Sequence, residues 1–287
     1  MADPISPWDS ATFELAKIAV TALAGAVVGA LTAQGIAARN KLRDDQLKEL
    51  RIISTSAAIA YGIAEAFIII KGQHVKPLFD TWKREHDRWE LATQTAGTAG
   101  TKVVFELTPE FRTLTPVKAA VDKLREQMFA NIALAPSAIR LVNALDRSTD
   151  QHTFIISEMN KAIAGYKSQQ MSEAQLVAVY FGLLAGTRTD ASYPNMLRGL
   201  YEDTDNGIMF GKLLGDDLAE HWKCLAMGQP QHLRGKPVAV MEFSRAEREG
   251  LMPDPANFAG WIAPSLPVQP VPTLSDRIIR ALNALSS

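Results

Sequence analysis

Two long apolar runs dominate the first quarter of the chain, and helical periodicity governs most of the remaining sequence. Ile18 through Ala38 holds 21 residues without a charge, with Gln34 as its only strongly polar side chain. As a helix rising 1.5 Å per residue the run would be about 31 Å long, the thickness of a bilayer's hydrocarbon core. Trp8 and Phe13 suit one interface, while Arg39, Lys41 and Arg43 follow at the other. One basic residue (Lys17) closely precedes the run and five (Arg39, Lys41, Arg43, Lys48, Arg51) closely follow it. By the positive-inside tendency, the chain after Ala38 is expected in the cytoplasm. The alternative is an Ala- and Gly-rich helix buried in a soluble core. The absence of any polar face over such a length favours the span.

Inside this run Thr21, Gly25, Gly29 and Ala33 recur at every fourth residue, with Ala22, Ala26 and Ala30 beside them. In lipid such a smooth stripe lets two backbones approach closely, so it is the expected packing face for a homo-oligomer. Small residues are also common in spanning helices for no such reason.

The second run, Ile52 through Ile70, contains Glu65 as its only charge. Read as a span, it would export everything after Lys71 and leave a sensor-type bundle outside the membrane. A carboxylate inside a span costs about 2.5 to 3.5 kcal/mol on insertion scales. Ser54, Thr55 and Ser56 also weaken its start, and Lys71, Lys76, Lys83, Arg84 and Arg88 follow it. The run is therefore expected to be a central, nearly all-round buried bundle helix. Ile53, Ala57, Ala60, Ala64 and Phe67 form one stripe at alternating four- and three-residue steps.

Further on, Pro77 is expected to kink or interrupt the helix, and Thr93 to Thr101 reads as a loop. Val103 to Leu107 has strand character. Thr115 and Pro116 look like the N-cap and first position of a helix to about Leu134. Pro136 opens another helix up to Gly165. Ser172 and Glu173 begin a short one to Leu184, and a long one covers Tyr193 to Met227. Val238 to Phe243 suits an edge strand, and Met252 to Pro272 is a Pro-rich linker or a chain laid over the bundle. Leu274, Ile278, Leu282 and Leu285 give the end an amphipathic helix.

The sequence thus predicts a mainly α protein with little β structure: a short segment 1–17, a transmembrane helix 18–38, an irregular multi-helix bundle 39–228, a Pro-rich extended segment 229–273 and an amphipathic helix 274–287. Composition agrees, since 47% hydrophobic and 21% charged residues describe a folded chain. The acidic start does not suit a cleaved signal peptide. A net charge of -1 gives no global attraction to nucleic acid or to an anionic surface. One cysteine, Cys224, excludes an internal disulfide.

Chemistry is sparse. The chain has no GxxxxGK[ST] loop, no HExxH, no GxSxG and no paired ExxH. Asp217, Glu220, His221 and Cys224 form the best metal-like group, which would be incomplete from one helix and reads more readily as surface pairing. Glu202, Asp203, Asp205, Asp216, Asp217 and Glu220 are nearly unopposed on one helix, while Lys71, His74, Lys76, Lys83, Arg84, His86 and Arg88 crowd another. These stretches could pair within the bundle or simply be solvated. Trp82 and Trp89 give the basic stretch stacking groups, but Asp80, Glu85 and Asp87 interrupt it, so no nucleic-acid role is expected. No catalytic residue, cofactor or metal is assigned. The expected function is a membrane-anchored interaction or scaffold protein whose partners are the bilayer, further copies and an unidentified protein. A metal-dependent enzyme is the remoter reading.

Overall fold

The computed structural model describes the backbone of residues 7–99, 105–107, 109–132, 136–169, 171–185, 188–227 and 237–262, and side chains from residue 32 on except those of 39, 131, 184–185 and 188–189. The chain is mainly helical. Helix α1 (Pro7–Ile70) is 64 residues long, about 96 Å by its rise. A π-helical turn, Lys71–Val75, joins it to α2 (Lys76–Ala99). Then come α3 (Val121–Asn131), α4 (Pro136–Ser168), α5 (Glu173–Phe181) and α6 (Ser192–Met227). Two-residue strands β1 (Leu184–Ala185) and β2 (Arg188–Thr189) pair antiparallel between α5 and α6. Short helices α7 (Ser244–Arg248) and α8 (Ala259–Ile262) end the described chain.

Three long rods carry the fold: α6, α4, and α1 continued through the π turn into α2. Each rod crosses two separate apolar clusters. The first joins Leu50, Ile53, Ala57, Ala60 and Phe67 of α1 to Leu124 and Met128 of α3, to Leu141, Val142 and Leu145 of α4, and to Ile208, Leu214 and Leu218 of α6. The second joins Val75, Leu78 and Trp82 to Ile155, Ile156, Met159 and Ile163 of α4, to Tyr180 and Phe181 of α5, and to Tyr193, Leu197 and Leu200 of α6. Side chains are mostly aliphatic in the first cluster. The second is richer in aromatic rings, and there Phe111 meets Tyr180 and Tyr193 edge-on at 5.6 and 5.0 Å.

The α1–α6 contact is close because α6 presents glycine at every fourth position. A Cβ on Gly207 would lie 2.6 Å from the Phe67 ring, on Gly211 3.0 Å from the Ala60 carbonyl oxygen, and on Gly215 2.5 Å from the Tyr61 ring. Small-residue spacing thus does serve close packing here, but on α6 and inside the bundle.

The five-residue stripe Ile53, Ala57, Ala60, Ala64 and Phe67 is wholly buried, as expected. The helix is not buried all round. Thr55, Ala58, Gly62, Glu65 and Ile69 form an exposed face, so Glu65 sits in contact with solvent space. Among the described residues one helix, Thr32–Thr98, is long and apolar enough, by length and composition, to cross a membrane. Its qualifying window has a mean hydropathy of 1.7 and is 44% buried inside the bundle.

Several local expectations are corrected. Pro77 does not break the rod, because the π turn shifts the hydrogen bonding just ahead of it and Lys76 donates to the Lys71 carbonyl. Thr93 to Ala99 is helix, and Thr93, Thr95 and Thr98 each donate to the carbonyl four residues earlier. The helix placed after Thr115 starts only at Val121, because Asn160 holds Leu114 through both its backbone N–H (3.0 Å) and carbonyl (2.8 Å) and keeps that stretch out of the helix. Helix α5 stops at Phe181, where Gly182 takes φ 70° and a Cβ would strike Ala191. Phe105–Leu107 and Val238–Phe243 are not strands. Met252 to Ile262 lies over the bundle, with Phe258 and Trp261 against Phe210 at 5.8 and 4.7 Å. The amphipathic helix 274–287 lies outside the described residues.

Candidate functional site

Between the two clusters the rods change character. On the first rod the aliphatic stripe gives way to Lys71, on α4 to Ser148 and His152, and on α6 to Thr204 and Asp205. These residues lie after Phe67, after Leu145 and after Leu200, at the point where each rod passes from one cluster to the other. They make a polar layer across the middle of the bundle.

Lys71 is 1% exposed. It continues the buried stripe of α1, and its ammonium donates to Asp205 Oδ1 and to the Leu251 carbonyl at 2.9 Å and lies 4.8 Å from the Tyr201 ring centroid. Burial pushes the Asp205 carboxyl up, and the bond and charge of Lys71 oppose that shift. The pair is therefore costly to break rather than a source of net stability. His152 is fully buried, packs edge-on to Phe67 at 5.1 Å, and finds no hydrogen-bond partner for either nitrogen. Burial pushes its pKa down to about 4, so it is neutral at physiological pH. Ser148 and Thr204 satisfy themselves on the carbonyls of Ala144 and Leu200.

A second polar group lies further along the first rod and α6, at the level of the first cluster. The Tyr61 hydroxyl donates to Asp216 at 2.7 Å, and Lys212 holds the other oxygen of that carboxylate at 2.6 Å. Burial first, then the carboxylate, pushes the Tyr61 phenol well up, so it stays a donor.

The sequence-level candidates are placed as follows. The side chains of Thr21, Gly25 and Gly29 lie outside the described residues, and Ala33 is exposed on α1. Of the two opposed charge stretches, Lys71 and Asp205 pair across the bundle. Lys76, Arg84, His86 and Arg88 pair instead within α2. Of Asp217, Glu220, His221 and Cys224, Asp217 and His221 lie close enough to interact, but the four do not converge: Asp217 accepts from Ser137 at 3.3 Å, Glu220 pairs with Lys223, and Cys224 is exposed. Among the described residues the ligand-type side chains close enough for a shared ion are His86, Asp87 and Glu90. All three come from α2, whose shallow surface depression is lined by Asp80, Lys83, Arg84, Asp87, Arg88 and Leu91 of the same helix. A single helix surface of mixed charge encloses no substrate. Sequence reading missed Lys71 as a buried group and the Gly207, Gly211, Gly215 stripe, although the four-residue glycine spacing was there to be read. Comparison with protein-family models, curated proteins and solved structures finds no match.

Proposed function

We propose that this chain is a membrane-anchored interaction protein that presents a helical bundle to the cytoplasm and does no catalysis of its own. The observation that supports it most is the continuity of α1, which runs from the uncharged stretch 18–38 into the core without a break. Beyond the uncharged stretch Asn40–Asp45 are exposed, and burial begins at Leu50. A single helix that is apolar at one end, bare in the middle and packed at the other is the form of an anchor, a stalk and a core. From Arg39 to Glu49 the stalk would hold the bundle about 17 Å from the membrane surface. Self-association through Thr21, Gly25, Gly29 and Ala33 would cluster the bundles.

Thiol labelling of intact expressing cells with a membrane-impermeant maleimide tests the reading, in a Cys224→Ser background. Ser6→Cys should label from outside and Ser287→Cys only after lysis. The reverse pattern, or recovery of the full chain in the soluble fraction, refutes it.

A further inference from the structure

We propose that Phe243–Leu251 is a releasable latch over an apolar groove along the first rod, and that the buried charge of Lys71 is what keeps it releasable. The latch is α7 closed by a Schellman turn: Gly250 takes φ 64°, its N–H donates to the Glu247 carbonyl at 3.0 Å, and the Leu251 N–H donates to the Ala246 carbonyl at 2.8 Å. This folds Leu251 back to the side of Phe243 and Ala246. Those three are buried, while Ser244, Arg245, Glu247, Arg248, Glu249 and Gly250 are exposed. One apolar edge thus holds the whole segment.

The groove under it is formed by Tyr61, Ala64, Ile68 and Gly72, which recur along one side of the first rod. Phe243 meets the Tyr61 ring at 6.2 Å, and Leu251 Cδ1 sits 3.1 Å from where a Cβ on Gly72 would be. The floor does not need the latch. Tyr61–Asp216, Lys71–Asp205 and the three α6 glycines hold α1 to α6 by themselves.

Closing the latch has opposing effects. It buries Leu251 beside Gly72, which is favourable, and it takes the Lys71 ammonium out of water in return for one carbonyl, which is not. Opening rehydrates the ammonium while Asp205 stays beside it. The latch therefore opens far more readily than the bundle unfolds. This holds whether or not α1 crosses a bilayer.

Thiol labelling of the full chain, again in Cys224→Ser, measures the opening. Ala246→Cys reports the latch and Ala57→Cys reports the core, both being buried alanines. Ala246→Cys should label at least about 100-fold faster than Ala57→Cys, since local opening precedes global unfolding. Gly72→Val, whose methyls displace Leu251, should speed Ala246→Cys by about 10-fold more and leave Ala57→Cys unchanged. Equal, slow labelling at both positions overturns the proposal, and that comparison stands even if Gly72→Val does not fold. Parallel acceleration at both positions by Gly72→Val also overturns it, because the latch would then belong to the core.

Discussion

Replacing Gly207 by alanine adds one methyl group where the two central helices touch, and the outcome depends on where that methyl must go. It would lie 2.6 Å from Cδ2 and Cε2 of Phe67, whereas carbon atoms in contact sit about 3.5 to 4.0 Å apart. The ring must retreat by about 1 Å. It has no free side, being fully buried and backed by His152 at 5.1 Å. Forcing a methyl into a packed core costs about 1 to 3 kcal/mol, and alanine returns up to about 1 kcal/mol in helix propensity. The expected net loss is about 1 to 2 kcal/mol, or a fall of about 3 to 6 °C in Tm. Gly62→Ala is the control: it lies on the exposed face of α1 with nothing within 4 Å of its Cβ, so it should stabilise by about 0.5 to 1 kcal/mol. Thermal unfolding of the full chain by circular dichroism in mild detergent separates the two. In a Phe67→Leu background the penalty for Gly207→Ala should shrink, because the smaller side chain can yield. If Gly207→Ala is as stable as Gly62→Ala, the close α1–α6 approach is not what shapes this core.

Other expectations concern the polar layer and the anchor. Lys71→Met leaves Asp205 half-sheltered without its counter-charge and should cost about 3 kcal/mol by denaturant unfolding, part of which Asp205→Asn in the same chain should restore; an unchanged midpoint would mean the pair is hydrated. His152 should make the fold acid-sensitive. Its imidazole titrates near 6.5 when unfolded and near 4 when folded, so the unfolded state binds the proton first. Stability is then intact above about pH 6.5 and falls by on the order of 3 kcal/mol as pH drops to about 4. His152→Leu should flatten that part of the pH profile, and identical profiles for both chains would contradict the burial argument. In the membrane, Gly29→Ile should weaken association of the isolated first helix strongly and Val27→Ile hardly at all; equal association of both with wild type in a bilayer reporter assay would remove the stripe from the account.

Helix content and the long rods were legible because amphipathic periodicity is set by residues that repeat every turn. Pro136–Ser168 and Ser192–Met227 begin and end within a few residues of their expected limits. Expectation failed where a long-range contact decides local conformation. Thr115 and Pro116 carry good N-terminal signals, yet Asn160 in α4, 46 residues away from Leu114, holds that stretch out of the helix. Exposed threonines at 93, 95 and 98 read as a loop, yet each satisfies its hydroxyl on its own helix. The buried partner of Lys71 could not be read, because a lysine after an apolar run has the same pattern whether it faces water or Asp205. Its second acceptor, the Leu251 carbonyl, lies 180 residues further on.

The π turn itself leaves no sign in the buried positions. Along the first rod they step as Ile53, Ala57, Ala60, Ala64, Phe67 and Lys71, and then as Val75, Leu78 and Trp82. Ile53 and Lys71 are 18 residues apart, about five whole turns of a regular helix, and Val75, Leu78 and Trp82 then repeat the spacing of Ala57, Ala60 and Ala64. A regular helix would keep the whole series on one face, so the spacing reads as one uninterrupted rod. Lys71 occupies a core position of that series, which is why its charge needs a partner inside the bundle, and Asp205 supplies it. What the sequence does mark is Pro77, which lacks the N–H that a regular helix would use, and the irregular turn Lys71–Val75 lies just ahead of it.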